Sequence, residues 1–176
     1  MNVPHEGPKR RSLTEVLEIS CASKRDAAQF MEALVGLLSI RGLGPEATRP
    51  ESIKMTLGLY ALWQDVSVEG MWKYLEEGGT GKNIDATVTW CRLIGAEHTA
   101  RYLQAINALF PDRQVLADDE ARRRFVDQLG RRGTKDPLAE LDREYKGAVD
   151  DVPDRLRAYL KGHLKEVEAW LAGSRA

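Results

Sequence analysis

The segment closest in residue type to a phosphate-binding loop is the glycine-rich stretch at residues 78–82, GGTGK. A phosphate loop needs a glycine five residues before its Gly-Lys pair and a serine or threonine directly after the lysine. Glu76 and Asn83 occupy those two positions here. The spacing therefore favours an ordinary turn between helices over a nucleotide site, and the sequence predicts no cofactor.

Histidine is the residue type that most often serves as a metal ligand or a general base. The chain contains His5, His98 and His163, and none has a cysteine or carboxylate at the spacing typical of zinc sites. No serine lies in a glycine-flanked nucleophile elbow. Because a nucleophile and its base meet in space rather than in sequence, these patterns leave an enzyme open. The sequence itself predicts no catalytic residue and no metal site.

Basic residues are concentrated in one segment, from Arg122 to Lys135. Such a cluster suits contact with nucleic-acid phosphates. The three arginines at 122–124, however, spread over about 200 degrees of a helix, so they cannot all face one groove. Acidic residues interleave with them, and a pair such as Asp119–Arg123 has helical i,i+4 spacing. We predict an exposed, salt-bridged helix, with weak nucleic-acid binding through residues 122–135 as an alternative.

All four tryptophans lie in segments with helical periodicity, and we expect most of them in the core. They are Trp63, Trp72, Trp90 and Trp170. Trp72 directly follows Met71, and two adjacent residues of a helix cannot both point inward. An exposed Trp72 beside Tyr74 would suit the anchor of a protein interface.

The composition excludes several classes of protein. The 176 residues are 43% hydrophobic and 30% charged, which is typical of a globular chain. No apolar run approaches the roughly 20 residues that span a bilayer, and no apolar stretch of a secretory signal follows the polar N-terminus. Cys21 and Cys91 suggest small buried side chains in a reducing cytoplasm rather than a disulfide framework.

Apolar residues recur at three- and four-residue spacing along almost the whole chain. This pattern predicts an all-α fold, a single compact domain of about eight helices with no substantial sheet. Ser12 and Glu15 have the spacing of a capping box ahead of the first helix. Ser67 is expected to cap a fourth helix, and one last helix is expected to run from Pro153 through Leu171.

Three segments carry a recognisable combination of motifs. They are residues 68–75 (VEGMWKYL), followed by Gly78-Gly79; residues 93–111, which contain LIGAEHTA and AINALFP; and residues 141–145 (LDREY). In order and spacing they resemble the DNA-mimic-protein family of bacterial domains of unknown function, over residues 57–159. The residues that match the family motifs are Gly70, Trp72, Tyr74, Gly79, Gly95, Leu141, Asp142 and Tyr145. The chain departs from the family at residues 67–70, where SVEG replaces Asn-Asn-Gly-Gly, and at Lys73, which replaces a glutamine.

The resemblance implies an all-helical domain that is often dimeric. The best-understood member of the family is a strongly acidic dimer, whose carboxylates imitate DNA phosphates and occupy a transcription factor. Most of the family has no assigned activity. On this basis residues 46–176 form a DNA-mimic-protein-like helical domain, and residues 1–45 form an N-terminal helical extension packed on the core.

DNA mimicry requires a dense negative surface, because the partner's basic groove is held by electrostatic attraction. The formal charge is only −1, from 26 basic and 27 acidic residues, so the whole chain does not supply such a surface. A local acidic face remains a candidate interface. Its candidate residues are Glu76, Glu77, Asp118, Asp119, Glu120, Asp150, Asp151 and Asp154.

The leading hypothesis from the sequence is a non-catalytic cytoplasmic domain that binds a protein. A DNA-binding protein is the candidate partner, and a homodimer is the candidate assembly. The alternatives are weak nucleic-acid binding and an uncharacterised enzyme. The enzyme would have its cleft between the helix of Tyr60 and the helix of Tyr74.

Overall fold

The described part of the chain comprises residues 11–40, 43, 46–76, 81–131 and 136–173 of a computed structural model, and it consists of helices joined by turns and short loops. Ten α-helices and no strand occur in these ranges, which confirms the all-α prediction. The helices are α1 Leu13–Leu17, α2 Lys24–Ile40, α3 Glu51–Glu69, α4 Met71–Glu76, α5 Ile84–Leu93, α6 Glu97–Asn107, α7 Asp119–Arg131, α8 Pro137–Glu144, α9 Val152–Gly162 and α10 Leu164–Gly173. Among them, none is long and apolar enough to cross a membrane.

The first helix begins at the predicted capping box. The Ser12 hydroxyl accepts a hydrogen bond from the Glu15 amide at 3.2 Å, and the Glu15 carboxylate accepts from the Ser12 amide at 2.6 Å. Two of the amides that a helix start leaves without partners are thereby satisfied. The apolar side chains of α1 are buried, and the helix packs against α2, α9 and α10.

The third helix does not end where the sequence predicted. Ser67 does not cap a fourth helix, because α3 continues through Ser67 to Glu69 and the break comes at Gly70. Gly70 has φ +86° and ψ −179°, a conformation that only glycine adopts readily. The chain therefore turns at Gly70, and α4 starts at Met71 in a new direction.

The predicted last helix is two helices. α9 ends at Gly162, His163 departs from helical geometry with φ −116° and ψ 18°, and α10 starts at Leu164. The prediction of one continuous helix was wrong because helical spacing of apolar residues continues across this short break. Leu160 and Val167, one on each side of it, are both buried.

The tryptophans border the core rather than fill it. Three of the four tryptophans are half-buried and pack against the core from its edge: Trp63, Trp90 and Trp170. The prediction that most tryptophans lie in the core was therefore wrong, because these three contact the core without being enclosed by it. Met71 is fully buried while Trp72 is 40% exposed. This confirms that the two neighbours do not both point inward from α4.

Cys91 is a fully buried thiol, and Cys21 is a half-buried one. Burial raises the pKa of the Cys91 thiol from 9.0 to about 12, and the negative charges of Asp151 and Glu97 add to the effect. The folded protein thus keeps a proton that the unfolded chain releases above pH 9. Stability from this group is present below that pH and is lost as the pH rises toward 12.

We expect replacement of Cys91 by alanine to flatten the alkaline loss of stability. Between about pH 8 and about pH 10, the native protein should lose roughly 1 kcal/mol more than Cys91→Ala, since one proton contributes at most about 1.4 kcal/mol per pH unit. Urea unfolding at both pH values measures the difference. Parallel losses in the two proteins would show that the thiol does not titrate in this range.

Candidate functional site

Three of the family-motif residues meet at the turn between α3 and α4. Gly70, Asp142 and Tyr145 line one cavity of roughly 180 Å³, together with Tyr102 of α6. A Cβ atom added to Gly70 would lie 2.9 Å from the Asp142 carboxylate, so a larger residue at the turn would have to displace this carboxylate of α8. Residues up to 75 positions apart in the sequence, Gly70 and Tyr145, are thus brought to one place by the packing of α4, α6 and α8.

Tyr102 is the member of this group that the sequence interpretation missed. Its ring is buried, and its hydroxyl donates a hydrogen bond to the Asp142 carboxylate. Tyr102 lies on the apolar face of α6 with Leu103 and Ile106. This placement could have identified Tyr102 from the sequence. A buried tyrosine hydroxyl usually requires a polar partner from elsewhere in the chain.

Stacked aromatic rings extend the group to the protein surface. The Tyr145 ring lies 5.4 Å from the Tyr102 ring and 5.5 Å from the His98 ring, centroid to centroid, with interplanar angles of 26° and 30°. Such offset stacks stabilise a fold by about 0.5–1.5 kcal/mol each beyond the area they bury. The start of α6 and the end of α8 are held together in this way.

The electrostatics of the group favour a structural role. Burial raises the pKa of the Tyr102 hydroxyl, and the hydrogen bond to Asp142 and its negative charge raise it further. The hydroxyl therefore keeps its proton and remains a hydrogen-bond donor. A group that does not release its proton is a poor general base, so this cluster acts as a tie between helices.

The remaining motif residues have separate structural roles. Gly95 ends α5 with φ +79°, and the amides of Gly95 and Ala96 bond the carbonyls of Arg92 and Cys91 at 3.0 and 2.7 Å. This is the pattern of a Schellman cap. Leu141 is half-buried against the core, and Gly79 lies outside the described residues.

Tyr74, one of the family-motif residues, is part of the core. Its side chain is fully buried, its hydroxyl lies 3.0 Å from the Thr87 hydroxyl, and burial raises its pKa. α3 and α4 pack directly on each other. Tyr60 is half-buried on α3. The enzyme cleft between the helices of these two tyrosines stays a prediction, and the Tyr74 side chain itself is buried in the core.

An exposed apolar pair flanks the Gly70 turn. Val68, at the end of α3, is 76% exposed, and Trp72, in the first turn of α4, is 40% exposed. Glu69 between them is also exposed. We call Val68 and Trp72 the turn patch. Large apolar side chains held in water on a rigid turn are typical of interface residues.

The candidate acidic residues fall into two groups. Glu76 and the residues at 118–120 lie where α4 packs on α7, and the residues at 150–154 lie at the start of α9. Most have a basic neighbour within 4 Å: Asp119 pairs with Arg122, Glu120 with Arg124, Asp150 with Lys24, Asp151 with Arg155 and Asp154 with Arg157. Asp118 accepts a hydrogen bond from the Ala121 amide at 2.7 Å. Glu77 lies outside the described residues.

The basic segment is not the uniformly exposed helix that the sequence predicted. Arg122 is fully buried and donates hydrogen bonds to the carbonyl oxygens of Leu75 and Leu116 at 2.7 and 2.8 Å. Arg124 is exposed and pairs with Glu120. Asp119 pairs with Arg122 rather than with Arg123, the partner that the sequence spacing predicted. The side chain of Arg131 and all of residues 132–135 lie outside the described part.

Most of the helices that carry the motif residues lie in a range that matches a known protein family. Residues 47–163 match a family model described as DMP19-like protein, which confirms the resemblance to DNA-mimic proteins. Neither curated proteins nor solved structures gave a match to the chain. The matched range includes the Gly70 turn, the Tyr102–Asp142 hydrogen bond and the turn patch. Since the match covers more than half of the sequence, the chain belongs to the DMP19-like protein family.

Proposed function

We propose that the protein is a non-catalytic domain that binds a DNA-binding protein through the turn patch. The observation that carries this proposal is the exposure of Trp72 beside the Gly70 turn, against which the family-motif residue Asp142 packs. Membership of the DMP19-like family supports a partner that binds DNA. Tryptophan is among the residues most enriched in the energetic centres of protein interfaces.

The charge distribution supports contact with a basic surface of limited size. Glu69, the last residue of α3, lies between Val68 and Trp72 in the sequence, and Glu76 is the last residue of α4, the helix that carries Trp72. The larger acidic groups at 118–120 and 150–154 are ion-paired, so their field at a distance is weaker than that of unpaired carboxylates. Apolar contact at Trp72 therefore supplies most of the proposed affinity, and charge supplies orientation.

The proposal also includes a cellular compartment, the cytoplasm, and an assembly, the homodimer. We place the protein in the cytoplasm, which the free thiols of Cys21 and Cys91 support. A homodimer is the family-based expectation for its assembly. Sedimentation of the native protein and of Trp72→Ala at micromolar concentration distinguishes a dimer that uses the turn patch from one that leaves it free for a partner.

Replacing Trp72 by alanine is expected to weaken partner binding about 30-fold, because loss of a central tryptophan removes about 2 kcal/mol of binding free energy. The partner is first identified by mass spectrometry after capture on the tagged native protein. Its affinity for both variants is then measured by calorimetry. Leu93→Ala is the matched control, since Leu93 is a 55% exposed apolar residue of α5 away from the turn.

The proposal requires two results together. The captured partner must be a DNA-binding protein, and duplex DNA must compete with this protein for it. Loss of affinity in Trp72→Ala, with native affinity in Leu93→Ala, supports the turn patch as the site. Equal affinities in the two variants, or a partner that binds DNA and this protein at the same time, would contradict the proposal.

A further inference from the structure

A cavity on the α3–α5 side of the molecule is separate from the turn patch. It has a volume of about 500 Å³ and opens to solvent between the first half of α3 and α5. Cavities of about 300–1,000 Å³ with an apolar wall and a few polar groups are typical of small-molecule sites. Its size and lining therefore raise the question of which ligand it fits.

One wall of the cavity is the indole ring of Trp90. A Cβ atom on Gly58 would lie only 2.3 Å from this ring, so the ring rests directly on the backbone of α3. The indole N–H donates to the Glu51 carboxylate at 2.6 Å, which fixes the orientation of the ring. Trp90 is half-buried, with Leu57 beside it in the lining. The wall is flat, apolar and held in place, as stacking of an aromatic ligand requires.

Two cationic side chains, Lys54 and Arg49, lie at the same cavity. The Lys54 ammonium is 3.9 Å from the Glu51 carboxylate, longer than a hydrogen bond, and its side chain is 29% exposed. Lys54 and Glu51 are therefore not in hydrogen-bond contact, and an anion in the cavity can approach the Lys54 ammonium more closely than the Glu51 carboxylate does. Glu46 and Glu51 also line the cavity, so its charge is balanced and a ligand with several negative charges is disfavoured.

From this geometry we propose that the cavity binds a small aromatic carboxylate. Its ring stacks on Trp90, and its single negative charge contacts Lys54. This site is independent of the protein-binding proposal, because none of its lining residues belongs to the turn patch. The Gly58–Trp90 contact is what gives the site its shape.

Titration with 2-naphthoate, followed by the four tryptophan indole N–H signals in nuclear magnetic resonance spectra, tests the proposal. We expect saturable binding in which the Trp90 signal shifts more than the other three. The signal that is missing from the spectrum of Trp90→Phe identifies Trp90. The neutral analogue 2-naphthamide and the non-aromatic anion cyclohexanecarboxylate should each bind about tenfold more weakly. A largest shift at Trp72, or no saturable binding, would overturn the proposal.

Two substitutions separate the roles of charge and shape. Lys54→Gln should weaken 2-naphthoate binding about five- to tenfold and leave 2-naphthamide binding unchanged. Gly58→Ala should weaken both probes, because the added methyl group displaces the Trp90 ring. Gly36→Ala is the control, since a Cβ there contacts nothing within 4 Å. Native affinity in Lys54→Gln would rule out the proposed anion contact, even if Gly58→Ala fails to fold.

Discussion

Replacing Arg122 with alanine is expected to lower the free energy of unfolding by roughly 3–5 kcal/mol, because two backbone carbonyls lose the donor that the buried guanidinium supplies. The Arg122 side chain is fully buried. Its Nε donates to the Leu75 carbonyl at 2.7 Å, and its terminal nitrogens donate to Leu116 at 2.8 Å and to the Asp119 carboxylate at 2.6 Å. One guanidinium thus joins the end of α4, the segment before α7 and the first turn of α7.

The size of the effect comes from the groups that alanine leaves behind. Two backbone carbonyls in a largely buried region lose their donors, and each such loss costs about 1–3 kcal/mol. The Arg122→Lys variant should recover only part of the stability, because one ammonium cannot reproduce the fork of the guanidinium. Both losses are measured by urea unfolding.

Arg124→Ala is the matched control for this prediction. Arg124 lies on the same helix and pairs with Glu120, but its side chain is 68% exposed. Exposed pairs contribute about 0–1 kcal/mol, so the control should be nearly as stable as the native protein. Equal losses in Arg122→Ala and Arg124→Ala would show that burial of the Arg122 guanidinium does not determine its contribution.

Replacing Gly70 with alanine is expected to destabilise the protein by at least about 1–3 kcal/mol, the usual cost of forcing a side chain into a glycine-only conformation. The φ of +86° is unfavourable for alanine whatever space surrounds it. The new Cβ atom would also lie 2.9 Å from the Asp142 carboxylate that accepts the Tyr102 hydrogen bond. The substitution therefore strains the α3–α4 turn and its tie to α6 together.

Gly36→Ala serves as the control, and the expected change has the opposite sign. Gly36 lies inside α2, and an added Cβ contacts nothing within 4 Å. Alanine is favoured over glycine in a helix by about 1 kcal/mol, so this variant should be more stable than the native protein. Thermal and urea unfolding of both variants measure the two changes. A stabilised Gly70→Ala would contradict the described turn.

Features that depend on neighbours in the chain were predictable. Three such features depend on interactions within a few residues: the Ser12–Glu15 capping box, the all-helical class, and the burial of only one of Met71 and Trp72. The structure confirms all three. The family motifs also led to the correct family. In contrast, the break after α3 was misplaced at Ser67, because a possible cap and a strained glycine are only three residues apart.

The sequence by itself determined that this chain forms helices, that the first of them begins at the Ser12–Glu15 capping box, and which family the chain belongs to. Tertiary structure alone decided that Arg122 is buried, that Tyr102 bonds Asp142 and that Trp90 rests on Gly58. The physical reason is distance along the chain. Helix periodicity and capping act over three or four residues. The Arg122–Leu75 and Tyr102–Asp142 hydrogen bonds span 47 and 40 residues, and only the packing of whole helices brings these groups together.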